Sequence, residues 1–375
     1  MQADSGKQFE DYADAVDREL NVHHEDDVPP PPTLSTISAV ELQHKDIPPV
    51  KWLVQDLIPA GLTILASPPK YGKSWMSLDL CLSLSTGADF LGYRCNRAGT
   101  LYLALEDSER RLKTRMNKLL CGRQAPPGFD FATTAPTLST GLLDALEGYI
   151  LEHRETGLII LDTLAKVRDM GGGRDVYGKD YADVGALKKF ADAHNIALLI
   201  IHHLRKMADN DDVFNRIGAS SGITGASDTM MTLTKKKRTD ENAELSVTGR
   251  DVQENDLILR FDKDTCRWVN EGDVDTVKQR QAAEQYAENP IVKTIHHLLG
   301  KYGSWSGSST ELLKIGEEVT GVELADSGQA LTSKLKELAD TMREYEAIGY
   351  TRVKNGSGGG RHKFFFSELP TTQNR

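Results

Sequence analysis

Four short stretches of the chain are apolar throughout, and each stops on a polar or charged residue. Residues 62–66 run into Ser67-Pro68-Pro69, residues 99–105 end at Glu106-Asp107, residues 157–161 end at Asp162-Thr163, and residues 196–201 end at His202-His203. Continuous apolar runs of this length, rather than alternating ones, are the pattern of strands buried on both faces of a parallel sheet. Helical spacing appears between them. Trp75, Met76, Leu78, Leu80, Leu82 and Leu84 predict one helix, residues 108–120 a second with Ser108 as N-cap, and residues 141–155 a third. Residues 183–194 predict a fourth, with Val184, Leu187, Phe190 and Ala191 on one face. Strands alternating with helices predict an α/β fold.

The flanks of this pattern differ. Residues 47–61 mix apolar residues with proline and predict a lead-in beside the first strand, where Trp52 either packs into the core or flanks a bound base. Further strands are expected at 229–234, 244–248 and 257–261, with the basic cluster Lys235-Lys236-Lys237-Arg238 at a hairpin and Gly249-Arg250-Asp251 between the last two. Residues 271–289 are polar and read as a linker. Residues 290–369 form a separate pattern: a helix over 291–302, a capping box Ser308-Ser309-Thr310-Glu311, a helix over 327–348 stopped by Gly349, and strands 350–354 and 361–367 around a glycine-rich tip. That succession predicts a winged helix-turn-helix domain, followed by a tail at 370–375.

Composition changes this picture in three places. The chain has 375 residues, 39% of them hydrophobic, enough for more than one domain. Its net charge is −10, and residues 1–50 hold eleven acids against three bases. Residues 1–46 also contain Pro29-Pro30-Pro31-Pro32 and few large apolar side chains, so an acidic disordered arm is expected there. Binding to nucleic acid would therefore need local basic patches. Candidates are Arg168 and Arg174 in the loop 166–180, which reads either as a surface loop or as a contact for single-stranded DNA. Arg352, Lys354 and Arg361 at the wing are a second group. Residues 289–375 carry eleven bases and ten acids, so a winged helix that binds protein rather than DNA stays open. The four cysteines are scattered without metal spacing, the N-terminus has no apolar leader, and no 18-residue apolar run occurs. A reducing, cytoplasmic setting with no membrane span is expected.

The chemistry gathers at the strand ends. Ser67-Pro68-Pro69-Lys70-Tyr71-Gly72-Lys73-Ser74-Trp75 follows a buried strand and opens a helix. This is a phosphate-binding P-loop layout, in which backbone N–H groups and the helix N-terminus cradle phosphate oxygens. Lys73 would reach the β and γ phosphates of ATP, and the Ser74 hydroxyl would ligate Mg²⁺. The first position is Ser67 where the usual pattern has glycine. Asp162, closing a later apolar strand, would hold Mg²⁺ opposite Ser74. Glu106 is either catalytic or a strand-end cap. One of His202 and His203 would sense the γ-phosphate, and strand alternation lets only one face the nucleotide; His203 is the choice. The basic hairpin is a phosphate contact, an arginine finger for a neighbouring subunit, or a solvated turn.

Taken together, the Pro-Lys-x-Gly-Lys-Ser loop, Leu103-Ala104-Leu105-Glu106-Asp107, Ile159-Ile160-Leu161-Asp162-Thr163, His202-His203-Leu204-Arg205-Lys206 and residues 218–228 resemble the RecA-fold P-loop ATPases of plasmids and phages. They are similar to RepA-type hexameric replicative DNA helicases over roughly residues 48–270. The resemblance implies a RecA-like core over 47–270, a homohexameric ring and Mg²⁺-ATP hydrolysis at subunit interfaces. It also implies single-stranded DNA as partner and Glu106 as activator of the attacking water. It places an arginine on the helix after the Glu-Asp strand, matched best by Arg115 and less well by Arg110 and Arg111. A second finger would be Arg250 or Arg238. The implied function is a DNA helicase or DNA-translocating ATPase in replication of a mobile element or phage. Alternatives are a recombination, repair or loader ATPase without unwinding, and an ATP-switched DNA-binding regulator.

Overall fold

The computed structural model describes residues 34–168, 176–204, 213–217, 221–354 and 360–367. The chain divides into two units, residues 1–49 and 50–375. In the first, part of the expected disordered arm is helical: α1 (Ala39–His44) is capped by Ser38, whose hydroxyl accepts the Glu41 N–H at 3.1 Å. Residues 1–33, with the polyproline run, lie outside the described residues.

The second unit is built on a nine-stranded sheet. A small antiparallel pair, β1 (Trp52–Val54) and β2 (Ile58–Pro59), precedes it, so the lead-in is a hairpin. Trp52 packs against the apolar core there. The sheet strands are β3 (Gly61–Ser67), β4 (Gly99–Ala104), β5 (Phe129–Ala132), β6 (Thr156–Asp162), β7 (Ala197–His203), β8 (Thr229–Thr234), β9 (Asn242–Gly249), β10 (Asn255–Asp262) and β11 (Arg267–Asp273). Their order is β11-β10-β9-β8-β3-β7-β6-β4-β5. From β8 to β5 neighbours run parallel, and β9, β10 and β11 are added antiparallel. Strands β3, β4 and β6 are buried at every position, as their apolar runs require.

Helices cover both faces. α2 (Lys73–Thr86) shares one apolar cluster with Leu65, Tyr102, Ile160 and Leu199, while Leu62, Ile64, Leu161 and Ile200 face the other. α3 (Glu109–Leu120) and α4 (Leu142–Glu152) follow β4 and η-turn 138–140, and α5 (Leu164–Val167) follows β6. The loop expected at 166–180 is shorter than predicted: α6 starts at Val176 and runs to His194, with Val184 and Leu187 in the second cluster. Arg174 and the other residues of 169–175 lie outside the described residues, as do residues 205–212 and 218–220. A short helix, α7 (Ser221–Ala226), leads into β8. Ser108 sits at the N-cap of α3 but makes no side-chain cap bond; Asp107 Oδ1 instead accepts the Ser108 N–H at 2.9 Å.

α2 is tied to the far end of the sheet by a buried ion pair between Asp79 and Arg267, the first residue of β11; Arg267 also donates to the Leu119 carbonyl at 3.3 Å. Burial, partly offset by Arg267, raises the Asp79 carboxyl from 3.8 to about 6. The folded protein therefore holds this proton more tightly than the unfolded chain. The resulting stability is full below about pH 4 and is lost as the pH rises through 6. Asp79→Asn should gain on wild type across that window, by ~1–3 kcal/mol. Thermal melts of both proteins over the window check this; parallel pH profiles would mean that the carboxyl titrates normally.

Residues 271–289 are not a polar linker. β11 runs to Asp273, and Asp273 caps α8 (Val274–Glu288) by accepting the Thr276 N–H at 2.8 Å. α9 (Pro290–Tyr302), β12 (Ser304–Ser308), α10 (Ser309–Thr320), α11 (Gly328–Glu346), β13 (Ile348–Lys354) and β14 (Gly360–Phe366) follow, with the strands ordered β12-β14-β13 and antiparallel. Both capping-box bonds between Ser308 and Glu311 are present. α11 ends earlier than expected. Ala347, at φ 55°, takes the left-handed cap, and Gly349 lies in β13, where a Cβ would come within 2.6 Å of the Phe365 ring. A third apolar cluster, including Ile295, Leu312, Leu335 and Phe364, holds these elements together. The tip at 355–359 and the tail lie outside the described residues.

Candidate active site

Parallel pairing in register levels the C-terminal ends of the central strands. Ser67 on β3 pairs with His203 on β7, and Ala104 on β4 pairs with Asp162 on β6. The residues that follow or end these strands therefore converge on one edge, where α/β sheets bind ligands. A cleft of about 460 Å³ opens there, lined by Pro69, Lys70, Gly72, Lys73, Ser74, Trp75, Glu106, Asp107, Arg111, Arg115, Asp162 and His203.

The P-loop spans the end of β3 and the start of α2. Ser67 is buried in β3 with ordinary extended backbone, and its hydroxyl donates to the Pro68 carbonyl at 3.0 Å. That position does not need glycine. The positive φ angles fall instead at Lys70 (68°) and Gly72 (94°). Gly72 is the N-cap of α2, and a Cβ there would come within 2.9 Å of the Trp268 ring. Trp268, on β11, donates its indole N–H to the Gly72 carbonyl at 3.4 Å. Phe261 stacks edge-on against Trp268 at 5.2 Å and tilts toward Trp75 at 6.3 Å. Lys235 from the basic hairpin lies 5.2 Å over the Trp268 ring. Trp268 thus supports the phosphate loop from the antiparallel ribbon. The sequence offered little sign of it, because β11 reads as a polar, alternating stretch.

Lys73 is only 7% exposed, and its ammonium donates to the Ser67 carbonyl at 2.7 Å and the Pro68 carbonyl at 3.2 Å. Burial lowers its pKa to about 8, against the opposing pull of Asp162 and Glu106. Asp162 is 9% exposed and accepts a 2.7 Å hydrogen bond from the fully buried Tyr102 hydroxyl. Burial raises the Asp162 carboxyl and Glu106 adds to the rise, while Tyr102, Lys73 and His203 oppose it. Glu106 accepts from the Thr163 hydroxyl at 3.2 Å, and its other oxygen lies 3.8 Å from His203 Nε2; both side chains are partly exposed. His203 lines the cleft with Glu106, and its neighbour His202 sits one residue out of phase on β7.

Asp107 is already occupied. It pairs with both Arg111 and Arg115 and accepts the Ser108 N–H. Burial pushes its carboxyl up, but these hydrogen bonds and charges hold it below its ordinary value. Arg115 also lies 5.7 Å over the Trp75 ring, so both arginines line the cleft from the same chain.

The remaining predicted residues lie elsewhere. Arg250 follows β9, which pairs Thr229 with Gly249, so it sits at the edge of the sheet opposite the P-loop, 3.6 Å from Asp228. The hairpin with Arg238 follows β8, on the P-loop edge. Arg168 turns toward Asp183 of α6 at 3.4 Å and is largely buried. Arg352 and Arg361 are exposed on β13 and β14, and Arg361 donates to the Ser306 carbonyl at 2.8 Å; Lys354 lies at the end of β13.

The donor set fits Mg²⁺. Ser74 and Asp162 offer hard oxygen ligands beside a P-loop. Among the described residues no three His, Cys, Asp or Glu side chains converge on one point. Mg²⁺ suits such a site because it takes few protein ligands and completes its shell with phosphate and water. Among the described residues, no helix is long and apolar enough to cross a membrane.

Residues 29–209 match the family described as an AAA domain. No curated protein matches the chain. Two solved structures are similar at 12% identity and a TM-score of 0.46. One is a solved ATPase domain, aligned over 57% of this chain and 85% of its own. The other, "The Structure Of A DnaB-Like Replicative Helicase And Its Interactions With Primase", aligns over 59% of this chain and 58% of its own, so the chain spans less than two thirds of it. The matched segment holds the P-loop, Glu106 and Asp162 on a large, mainly parallel sheet, and is similar to that family.

Proposed function

We propose that the protein is a Mg²⁺-dependent ATP hydrolase that works as a motor on single-stranded DNA, as a helicase or translocase. One observation carries the ATPase part: Lys73, Ser74, Glu106, Asp162 and His203 meet at the level ends of adjacent strands. Lys73, freed from the Ser67 and Pro68 carbonyls, binds the terminal phosphates of ATP. Ser74 and Asp162 hold Mg²⁺, which neutralises charge on the phosphate oxygens. Glu106, steadied by Thr163, orients and accepts a proton from the attacking water. His203, beside Glu106, reports the state of the γ-phosphate to the segment that follows β7. Arg111 and Arg115, held by Asp107, add positive charge from the same chain, and a finger for a neighbouring subunit would come from Arg238 of the 235–238 hairpin or from Arg250.

The motor part rests on the motif resemblance. It implies a ring of identical subunits, with the three helices and sheet of residues 290–367 acting as a winged helix that recruits DNA or a partner. In this reading the enzyme serves replication of a mobile element or phage. The test is ATP hydrolysis by the purified chain with and without single-stranded DNA, followed by strand displacement. Strong stimulation with ATP-dependent displacement is expected. Hydrolysis indifferent to DNA would overturn the motor and leave an ATPase of another kind.

A further inference from the structure

Tyr102 lies in the middle of β4, with no exposed surface, among the apolar side chains that pack against α2. A phenylalanine would fill that space. A buried hydroxyl needs a partner, and this one donates to Asp162 Oδ2 at 2.7 Å. The pairing of β4 with β6 aligns Tyr102 with Ile160 and Ala104 with Asp162, so the phenol reaches diagonally along the sheet to the last residue of β6. Tyr102 therefore holds Asp162, one of the side chains that the site offers to a cation, from beneath, where water does not reach.

We propose that Tyr102 is a positioning residue for the divalent cation, fixing how Asp162 presents its carboxylate oxygens to it. Its single proton engages Asp162 Oδ2 and leaves Oδ1 for the cation or a water on it. Without the phenol, the carboxylate has more than one orientation, and the cation must order it when it binds. Partners of this kind behind metal ligands cost ~10–100-fold in metal affinity when removed. The inference rests on the reading of this cleft as a Mg²⁺-nucleotide site.

The test uses the full chain and a fluorescent ADP analogue, titrated with MgCl₂ and, separately, measured in EDTA. Tyr102→Phe should raise the Mg²⁺ concentration for half-maximal enhancement of binding by ~10–100-fold, with the affinity in EDTA unchanged. An unshifted Mg²⁺ midpoint in a folded variant would overturn the proposal. A core role alone would lower the melting temperature without moving that midpoint. If Tyr102→Phe does not fold, the double variant Tyr102→Phe/Asp162→Asn, which removes the buried charge along with its donor, is compared with Asp162→Asn. Their Mg²⁺ midpoints should differ far less than ~10-fold, since most of the effect runs through Asp162; a full additive shift would overturn it. Wild type that binds the analogue with no Mg²⁺ dependence would instead remove the reading of the cleft itself, and this proposal with it.

Discussion

Lys73→Ala should abolish nucleotide turnover while leaving the chain folded. The side chain is nearly buried, and its ammonium spans the mouth of the loop between the Ser67 and Pro68 carbonyls. It is the buried cation of the P-loop, whereas Lys70 of the same loop is exposed and Arg111 and Arg115 are anchored by Asp107. Removing a preorganised donor from developing charge costs ~10²–10³ in rate. Here the full charge is lost as well, so the fall in kcat/KM should be at least that large. The fold should survive, because the two carbonyls released can reach water in the open cleft. Phosphate release and binding of a labelled nucleotide measure the two effects separately. Turnover at the wild-type rate would remove the P-loop assignment.

Glu106→Gln should bind ATP with near wild-type affinity and hydrolyse it ~10²–10⁴-fold more slowly. The amide keeps the shape and can still pair with Thr163 but cannot take a proton from water. Asp107 is the obvious substitute base, being the next residue, and the structure argues against it. Two guanidinium groups and a backbone N–H already engage its oxygens and hold it ionised. Rapid-quench measurement of the first turnover isolates the chemical step; an unchanged rate constant would move the base away from Glu106.

The site was legible in the sequence to the extent that it is carried by strand ends. Strands buried on both faces need unbroken apolar runs, so β3, β4, β6 and β7 announced themselves, and the polar residue that breaks each run is the one the sheet delivers to its edge. Two-residue alternation said that only one of His202 and His203 faces the cleft, and not which; the structure lines it with His203. What failed to show were features settled by distant partners. β11 is half-exposed and antiparallel, so Arg267-Trp268-Val269 lacks an apolar run, and the role of Trp268 exists only because Gly72 lies beneath it. Which edge of the sheet carries Arg250 and which the hairpin with Arg238 could not be read before the strand directions were known. Ser108 is the N-cap the sequence indicated, but its side chain makes no cap bond and its N–H goes to Asp107. Gly349 looked like a helix stop, but the left-handed turn fell on Ala347, and the glycine serves the close approach of Phe365.

The contact between Gly72 and Trp268 joins residues 196 positions apart. A ribosome emitting this chain from its N-terminus releases the whole phosphate loop, and every strand end that converges on it, long before β11 emerges. Through that interval the loop has its sequence but not its support, and α2 lacks the Arg267 partner of Asp79. Long-range closures of this kind form late and slowly. The nucleotide site is therefore among the last parts of the core to be finished, so an unfinished chain is poorly equipped to hold ATP, and the ability to do so marks a chain whose sheet is complete.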